Sequence, residues 1–379
     1  MPTVRAFDLA VVGAGIVGLA CALAAARRGK RVVVIDRDAQ ANGASVRNFG
    51  FVTVTGQARG AMWGRARRSS EVWAQVAAEA GISVLHQGLL MAARRAEAVA
   101  VLEAFLDTEM GEGCRLIGAG EMAREHPQLA TADLRAALWS PYDLRVESRE
   151  AIPRLAAWLE TRHGVTFRRG TAALSVETGK VVTTRGLIEA EAIAVCPGDD
   201  LCSLFADRIS AHGVTRCKLQ MLRLADPGFR LPAAVMSDLG LVRYAGYAAL
   251  PQAGALRARL EAEQPEFLAN GVHLIVVQSA DGSLVVGDSH HYAPTPDPFS
   301  HQAVDDLILA EFAAVFARPA SPVVERWTGT YASAAEPALI DAPMDGVRLA
   351  MVTTGAGAST GFAIGEEVVA DLFGNESEA

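Results

Sequence analysis

Three glycines in Gly13-Ala14-Gly15-Ile16-Val17-Gly18 can cradle a pyrophosphate, provided a strand delivers them and a helix follows. The flanking residues meet both conditions. Phe7 to Val12 is an apolar run of strand length, and an Ala-rich helix is predicted after the glycines through Arg28, with Gly29 placed to end it. Gly13 then allows the tight turn, Gly15 lets the backbone approach phosphate, and Gly18 lets helix and strand pack closely. The helix amides and dipole face the negative charge. A second apolar strand, Arg31 to Ile35, ends at Asp36, eighteen residues after Gly18, where a carboxylate accepts hydrogen bonds from a ribose hydroxyl. An acid there argues against a 2′-phosphate, so FAD and NAD stay open and NADP is disfavoured.

Two further segments favour a flavin. Ala190 to Val195 is an apolar strand ending in Cys196-Pro197-Gly198, which resembles the strand end that closes over the dinucleotide in FAD-binding oxidoreductases. Leu349 to Thr353 is a strand leading into Gly355-Ala356-Gly357-Ala358-Ser359-Thr360-Gly361, with an amphipathic helix expected from Ile364 to Phe373. A second glycine loop opening a helix suits flavin carbonyl oxygens or a pyrophosphate. A simple NAD dehydrogenase has no need of it.

The elements that must hold these loops are of two kinds. A helix over Arg145 to Thr161 and strands Val165 to Phe167 and Val181 to Thr184 continue the α/β pattern, whereas Cys217 to Leu224 and His273 to Val286 carry strand-like runs suited to a separate sheet. A chain of 379 residues has enough material for two to three domains. Its net charge of −8, with 51% hydrophobic and 21% charged residues, excludes disorder and makes polyanionic partners a poor match. Five cysteines without a CxxC pair indicate neither a disulfide framework nor a zinc site and suit a reducing cytoplasm. Leu9 to Ala26 lacks charge, but its small-residue turns and the weak basic lead of Arg5 followed by Asp8 argue against a membrane span or signal segment. Leu349 to Gly365 fails as a span because glycines interrupt it, and residues from Gly374 to Ala379 read as a frayed tail.

Taken in order, the GAGIVG motif, Asp36, Ser45-Val46-Arg47-Asn48-Phe49-Gly50, Cys196-Pro197-Gly198, Asp281 to Asp288, Trp327-Thr328-Gly329 and the C-terminal glycine loop resemble the FAD-dependent amine oxidoreductases of the D-amino acid oxidase, glycine oxidase and sarcosine oxidase fold. The resemblance covers essentially the whole chain. It implies an α/β protein in which a Rossmann-like FAD-binding domain (1–84, 145–215 and 322–379) is interleaved with a sheet-based α+β substrate domain (85–144 and 216–321). It also implies cofactor contacts at Gly13, Gly15, Ile16, Val17, Gly18, Asp36, Arg37, Ser45, Asn48, Gly50, Ala173, Pro197, Gly198, Gly355, Gly357, Ser359, Thr360 and Gly361. No cysteine follows Cys217, so FAD is expected to be non-covalent.

One departure bears on the substrate. Where amino-acid oxidases of this fold continue the Trp-x-Gly segment into a carboxylate-binding arginine, this chain has Tyr331. Ala44 to Gly50, Leu241-Val242-Arg243-Tyr244, Gly287-Asp288-Ser289-His290 and Arg326 to Ala332 are instead similar to a subgroup associated with phosphonate catabolism. That similarity implies oxidation of 2-aminoethylphosphonate or its N-methyl derivative, with no nucleic-acid or membrane partner. A phosphonate needs several donors or cations to leave water. Arg47, Arg243, Tyr244, His290, Trp327 and Tyr331 are the expected substrate contacts, Arg243 and Tyr244 from a strand-like stretch, and Arg47 and Asn48, on a loop that by resemblance passes the isoalloxazine, are expected catalytic residues together with Lys218. Lys218 is expected near flavin N5, where a cation would assist reoxidation by dioxygen; with Lys218 turned to solvent instead, another electron acceptor is the alternative.

His273 begins an apolar strand and reads as a core histidine. His290 and His291 invite a metal, but no third ligand stands at useful spacing, and none is expected. No proton-abstracting residue is assigned. The nearest alternative keeps the flavin and takes glycine, sarcosine or another secondary amine; alternatives from other classes are an NAD-dependent dehydrogenase and a non-catalytic electron-transfer subunit.

Overall fold

The computed structural model describes residues 6–129 and 131–374. Arg5 and positions 375–379 of the expected tail lie outside them. Five strands form a parallel layer in the order Thr166–Arg168, Val32–Ile35, Phe7–Val12, Gly186–Val195 and Val347–Thr354, with Leu9 opposite both Val32 and Ala192. Val32–Ile35 is buried at all four positions, as a strand covered on both faces must be. Leu9 and Val11 point into a core shared with Leu19, Trp73, Leu155 and Phe362, which lie on the helices Ile16–Arg27, Ala61–Ala80, Ser148–His163 and Gly357–Phe373. Ala10 points to the opposite core with Val33 and Val195.

Trp73 joins two of these helices. Its ring packs edge-on against Phe362 at 5.0 Å, and its Nε1–H donates to the Ala358 carbonyl at 2.8 Å. The C-terminal helix starts at Gly357 and not at Ile364, so most of the expected loop forms its first turn and a half. Glycine serves packing there. A Cβ on Gly365 would lie 2.5 Å from the Ala20 carbonyl carbon, and one on Gly361 would lie 3.3 Å from Ile16.

The 22-residue strand Val323–Met344 ties the parallel layer to a second, largely antiparallel region. Its first half pairs with Thr215–Leu224, placing Gly329 opposite Leu219, and its second half pairs with Val347–Thr354, placing Leu339 opposite Met351. The register is irregular between Ser333 and Ala338. From Thr215–Leu224 the sheet continues through Leu284–Gly287, Ile275–Gln278, Ala234–Ser237, Val84–Ala93 and Ala136–Val146. Three predicted elements change here. His273 to Val286 is a hairpin with its turn at Gly282 (φ 90°), not one strand. Arg145 ends the Ala136–Val146 strand instead of opening a helix. Arg243 and Tyr244 sit between a 3-10 turn, Asp238–Val242, and the short helix Ala245–Ala248, not on a strand. The result is the mixed α/β architecture expected, built on one large mixed sheet. Among the described residues no helix is long and apolar enough to cross a membrane.

Candidate active site

The two glycine segments converge because the strands carrying them are near neighbours in the parallel layer. Gly13 has φ 103°, and a Cβ there would stand 2.3 Å from the Cys196 carbonyl oxygen; one on Gly18 would stand 1.9 Å from the Gly13 oxygen. No side chain fits either position. Asp36 closes the turn, accepting the Ala14 N–H at 2.6 Å on Oδ2 and the Asp38 N–H at 2.8 Å on Oδ1. Each carboxylate oxygen has a second lone pair for an incoming hydroxyl. Ser45 Oγ accepts the Ile16 N–H at 3.0 Å. The first turns of helices Ile16–Arg27 and Gly357–Phe373, neither capped by a side chain at its N-cap, thus face one cavity of about 570 Å³.

Gly15, Ile16, Val17, Gly18, Ser45, Gly198, Gly355, Gly357 and Ser359 line that cavity. Of the other expected cofactor residues only Asn48 also lines it; the rest lie behind the lining or farther out. Gly50 (φ 68°) presses against the Val146 carbonyl, where a Cβ would meet oxygen at 1.7 Å. Thr360 returns its hydroxyl to the Ala356 carbonyl, and Gly361 packs on Ile16. Pro197 follows Cys196 and holds the turn through its carbonyl, which accepts the Asp200 N–H. Arg37 pairs with Asp200 at 3.0 Å on the surface, and Ala173 lies on the outer strand Ala173–Glu177, two residues after the Thr171 N–H reaches the Asp36 carbonyl.

The opposite wall comes from the second region and from the 45–50 loop. Arg47, Asn48, Arg243, Tyr244, His290 and Tyr331 reach it, together with His273, Asp288 and Tyr292. Asn48 staples its own loop, donating to the Ala44 carbonyl and accepting the Gly50 N–H, each at 2.6 Å. Arg47 is half-buried, with Nη2 donating to Asn42 Oδ1 at 3.2 Å. Arg243 Nη2 donates to the Tyr292 hydroxyl at 3.0 Å. Tyr331 lies against Gly355, where a Cβ would come within 3.0 Å of its ring.

Two expectations are corrected. Lys218 does not face the cavity: strand alternation sends Cys217 and Leu219 to the cavity side, while Lys218 Nζ donates to Asp297 Oδ2 and the Phe299 carbonyl, each at 2.9 Å. Trp327 is not part of the lining either; its Nε1–H donates to the Arg47 carbonyl at 3.3 Å, and Arg149 lies over its ring.

Sequence reasoning also missed a group at the wall. His273, Asp288 and His290 bring their side-chain polar atoms within 4.8 Å of one another, all buried, while His291 turns to Asn270. His273, read as a core histidine, faces the cavity. The signal was the Gly287-Asp288-Ser289-His290 segment, but only the hairpin brings His273 beside it. Burial pushes the Asp288 carboxyl up to about 8 against the opposing pull of Arg243. Burial, reinforced by Arg243, holds both histidines well below their ordinary range and so neutral.

This chain belongs to the FAD-dependent oxidoreductase family termed DAO, whose model matches residues 8–372. None of the curated proteins matches it. Among solved structures it is similar to glycine oxidase from Bacillus cereus (TM-score 0.77, 15% identity, 98% of this chain and 96% of that one). It is also similar to glycine oxidase from Geobacillus kaustophilus (TM-score 0.74, 20% identity, 97% and 94%) and to L-proline dehydrogenase from P. horikoshii (TM-score 0.77, 19% identity, 99% and 95%). The cofactor is FAD, which sets aside the NAD-dependent alternative. The glycine cradle, the paired helix N-termini and the Asp36 carboxylate fit such a dinucleotide.

Proposed function

We propose that this protein oxidises a small aminoalkylphosphonate, 2-aminoethylphosphonate or its N-methyl derivative, at the C–H beside nitrogen. When bound, FAD supplies the hydride acceptor at N5 and passes the electrons to dioxygen, giving hydrogen peroxide. Water then hydrolyses the imine to phosphonoacetaldehyde and the amine. The single observation that carries this reading is Arg243, whose guanidinium lines the cavity beside Tyr292 and Tyr331. Burial pulls its pKa down, but Tyr292, Tyr331 and Asp288 outweigh that and hold it above its ordinary value, so it stays cationic. A cation ringed by phenols offers charge and several donors to one tetrahedral anion.

Arg47 and Tyr331 complete the anion-binding set in this reading; His290, expected there, is neutral with its Nδ1 hydrogen on the Gly271 carbonyl, so its Nε2 can only accept. Asn48 and Trp327 position the Arg47 loop. The division into an FAD domain (1–84, 145–215, 322–379), a substrate domain (85–144, 216–321) and a cytoplasmic setting are parts of the same proposal. The fold likeness to two glycine oxidases favours a second reading, a small amino acid held through its carboxylate by Arg243. Peroxide formation from 2-aminoethylphosphonate, its N-methyl form, glycine and sarcosine under identical conditions separates them. Higher kcat/KM for the phosphonates is expected; higher values for the carboxylates overturn the choice.

A further inference from the structure

We propose that Asp288 is the proton acceptor for the substrate's ammonium group, with His273 and His290 completing the set of acceptors around that nitrogen. The proposal rests on the amine-oxidation reading above and assigns a residue to a step that reading leaves open. An ammonium nitrogen has no lone pair, so a proton must leave it before the neighbouring C–H can depart as hydride. The protein must supply an acceptor in the cavity, close to the nitrogen and shielded from water.

Asp288 satisfies these demands by geometry. It lines the cavity, is only 4% exposed, and its Oδ1 has no hydrogen-bond partner. A buried oxygen left unpaired costs stability unless something occupies it during function. His273 Nδ1 stands 3.3 Å from that oxygen, and both ring nitrogens of His273 are also without partners. His290 Nδ1 lies 2.9 Å from the Gly271 carbonyl; a carbonyl only accepts, so Nδ1 carries the hydrogen and Nε2 presents a lone pair, 3.7 Å from Asp288 Oδ2. The backbones of His273 and Asp288 exchange hydrogen bonds at 3.2 and 3.3 Å, which fixes the pair. Unpaired acceptors facing each other in a buried wall match a guest with several N–H donors.

The step balances simply. One N–H bond of the ammonium breaks, its electron pair remains on nitrogen, and the proton forms an O–H bond on Asp288 Oδ1. An acceptor near 8 makes this transfer from an amine far less uphill than an ordinary aspartate near 4 would. The groups facing Asp288 are His273 and His290 on its own hairpin, Arg243 and Tyr244 from the helical turn, and Cys217 with Tyr331 from the two strands behind. Arg243, the cation among them, lowers the Asp288 value without cancelling the effect of burial.

The test compares the FAD-loaded full chain with its Asp288→Asn and Asp288→Glu variants, using whichever of the four amines the wild type turns over fastest. For Asp288→Asn, kcat/KM at pH 8, where the wild-type carboxyl is becoming ionised, should fall roughly 100-fold. The deficit should then shrink about tenfold per pH unit toward pH 10 as free amine replaces ammonium. Asp288→Glu should recover part of the loss. Methylphosphonate affinity, read from the shift of the flavin absorbance, should stay within about twofold in Asp288→Asn, showing an intact site. A loss independent of pH, or no loss, overturns the Asp288 assignment while leaving amine oxidation standing. One equivalent of tightly held divalent metal, with activity abolished by a chelator, also overturns it by giving the cluster to a cation. Wild-type protein that oxidises none of the amines fails at the earlier stage and takes both proposals with it.

Discussion

Trp327 donates its indole N–H to the backbone carbonyl of Arg47 at 3.3 Å, so an aromatic expected in the cavity wall instead holds the loop that brings an arginine there. Gly329, two residues on, lets that loop approach, since a Cβ would lie 2.8 Å from the same carbonyl oxygen. Trp327→Phe keeps the ring but removes the donor. KM for the substrate should rise severalfold with kcat nearly unchanged, and stability should fall by about 1 kcal/mol. Steady-state kinetics and thermal unfolding check both parts.

Arg47→Ala tests the loop's charge separately. Its guanidinium has one partner, Asn42, and lines the cavity. Substrate affinity should drop at least tenfold while FAD retention after gel filtration stays at the wild-type level. Unchanged kinetics would remove Arg47 from the site.

Gly18→Ala should do the reverse. The added methyl cannot avoid the Gly13 carbonyl without opening the turn between strand and helix. We expect protein purified with far less bound FAD, measured as the ratio of visible to ultraviolet absorbance. Full occupancy would contradict the cradle.

Lys218→Met should leave reoxidation by dioxygen within about twofold of wild type, because the ammonium is committed to Asp297 and the Phe299 carbonyl on the far side of its strand. The loss leaves behind an exposed carboxylate and the carbonyl of the exposed Phe299, both of which water can reach, so stability should change by about 1 kcal/mol or less. A large fall in the reoxidation rate in stopped flow would return Lys218 to the flavin.

Asp288 also predicts a stability signature. Its folded value, about 8, lies above the unfolded one near 3.8, so the protonated folded form contributes stability at low pH that is lost as pH rises through that window. The neutral Asp288→Asn variant lacks this loss. Its melting temperature relative to wild type should climb between pH 4 and pH 8 and level off above; a difference constant with pH would show that the carboxyl does not titrate there.

Much of the cofactor half was legible in the sequence because its signals are local: a strand, glycines at fixed spacing, a helix and a terminal acid occur within Phe7 to Asp36. The C-terminal helix start was misplaced because Gly361 and Gly365 look like loop residues until the helix they pack against is known. The substrate wall was less legible. Whether Lys218 or Leu219 faces the flavin depends on strand phase, and His273 meets Asp288 and His290 only through the pairing of two strands. Tyr292, tied to Arg243, carried no motif at all.

The most direct test of the account is anaerobic mixing of FAD-loaded protein with each amine while the visible flavin band is followed. Rapid bleaching by 2-aminoethylphosphonate or its N-methyl derivative, faster than by glycine or sarcosine, is the predicted result. A band that persists with both phosphonates, or bleaches only with the amino acids, would contradict the account.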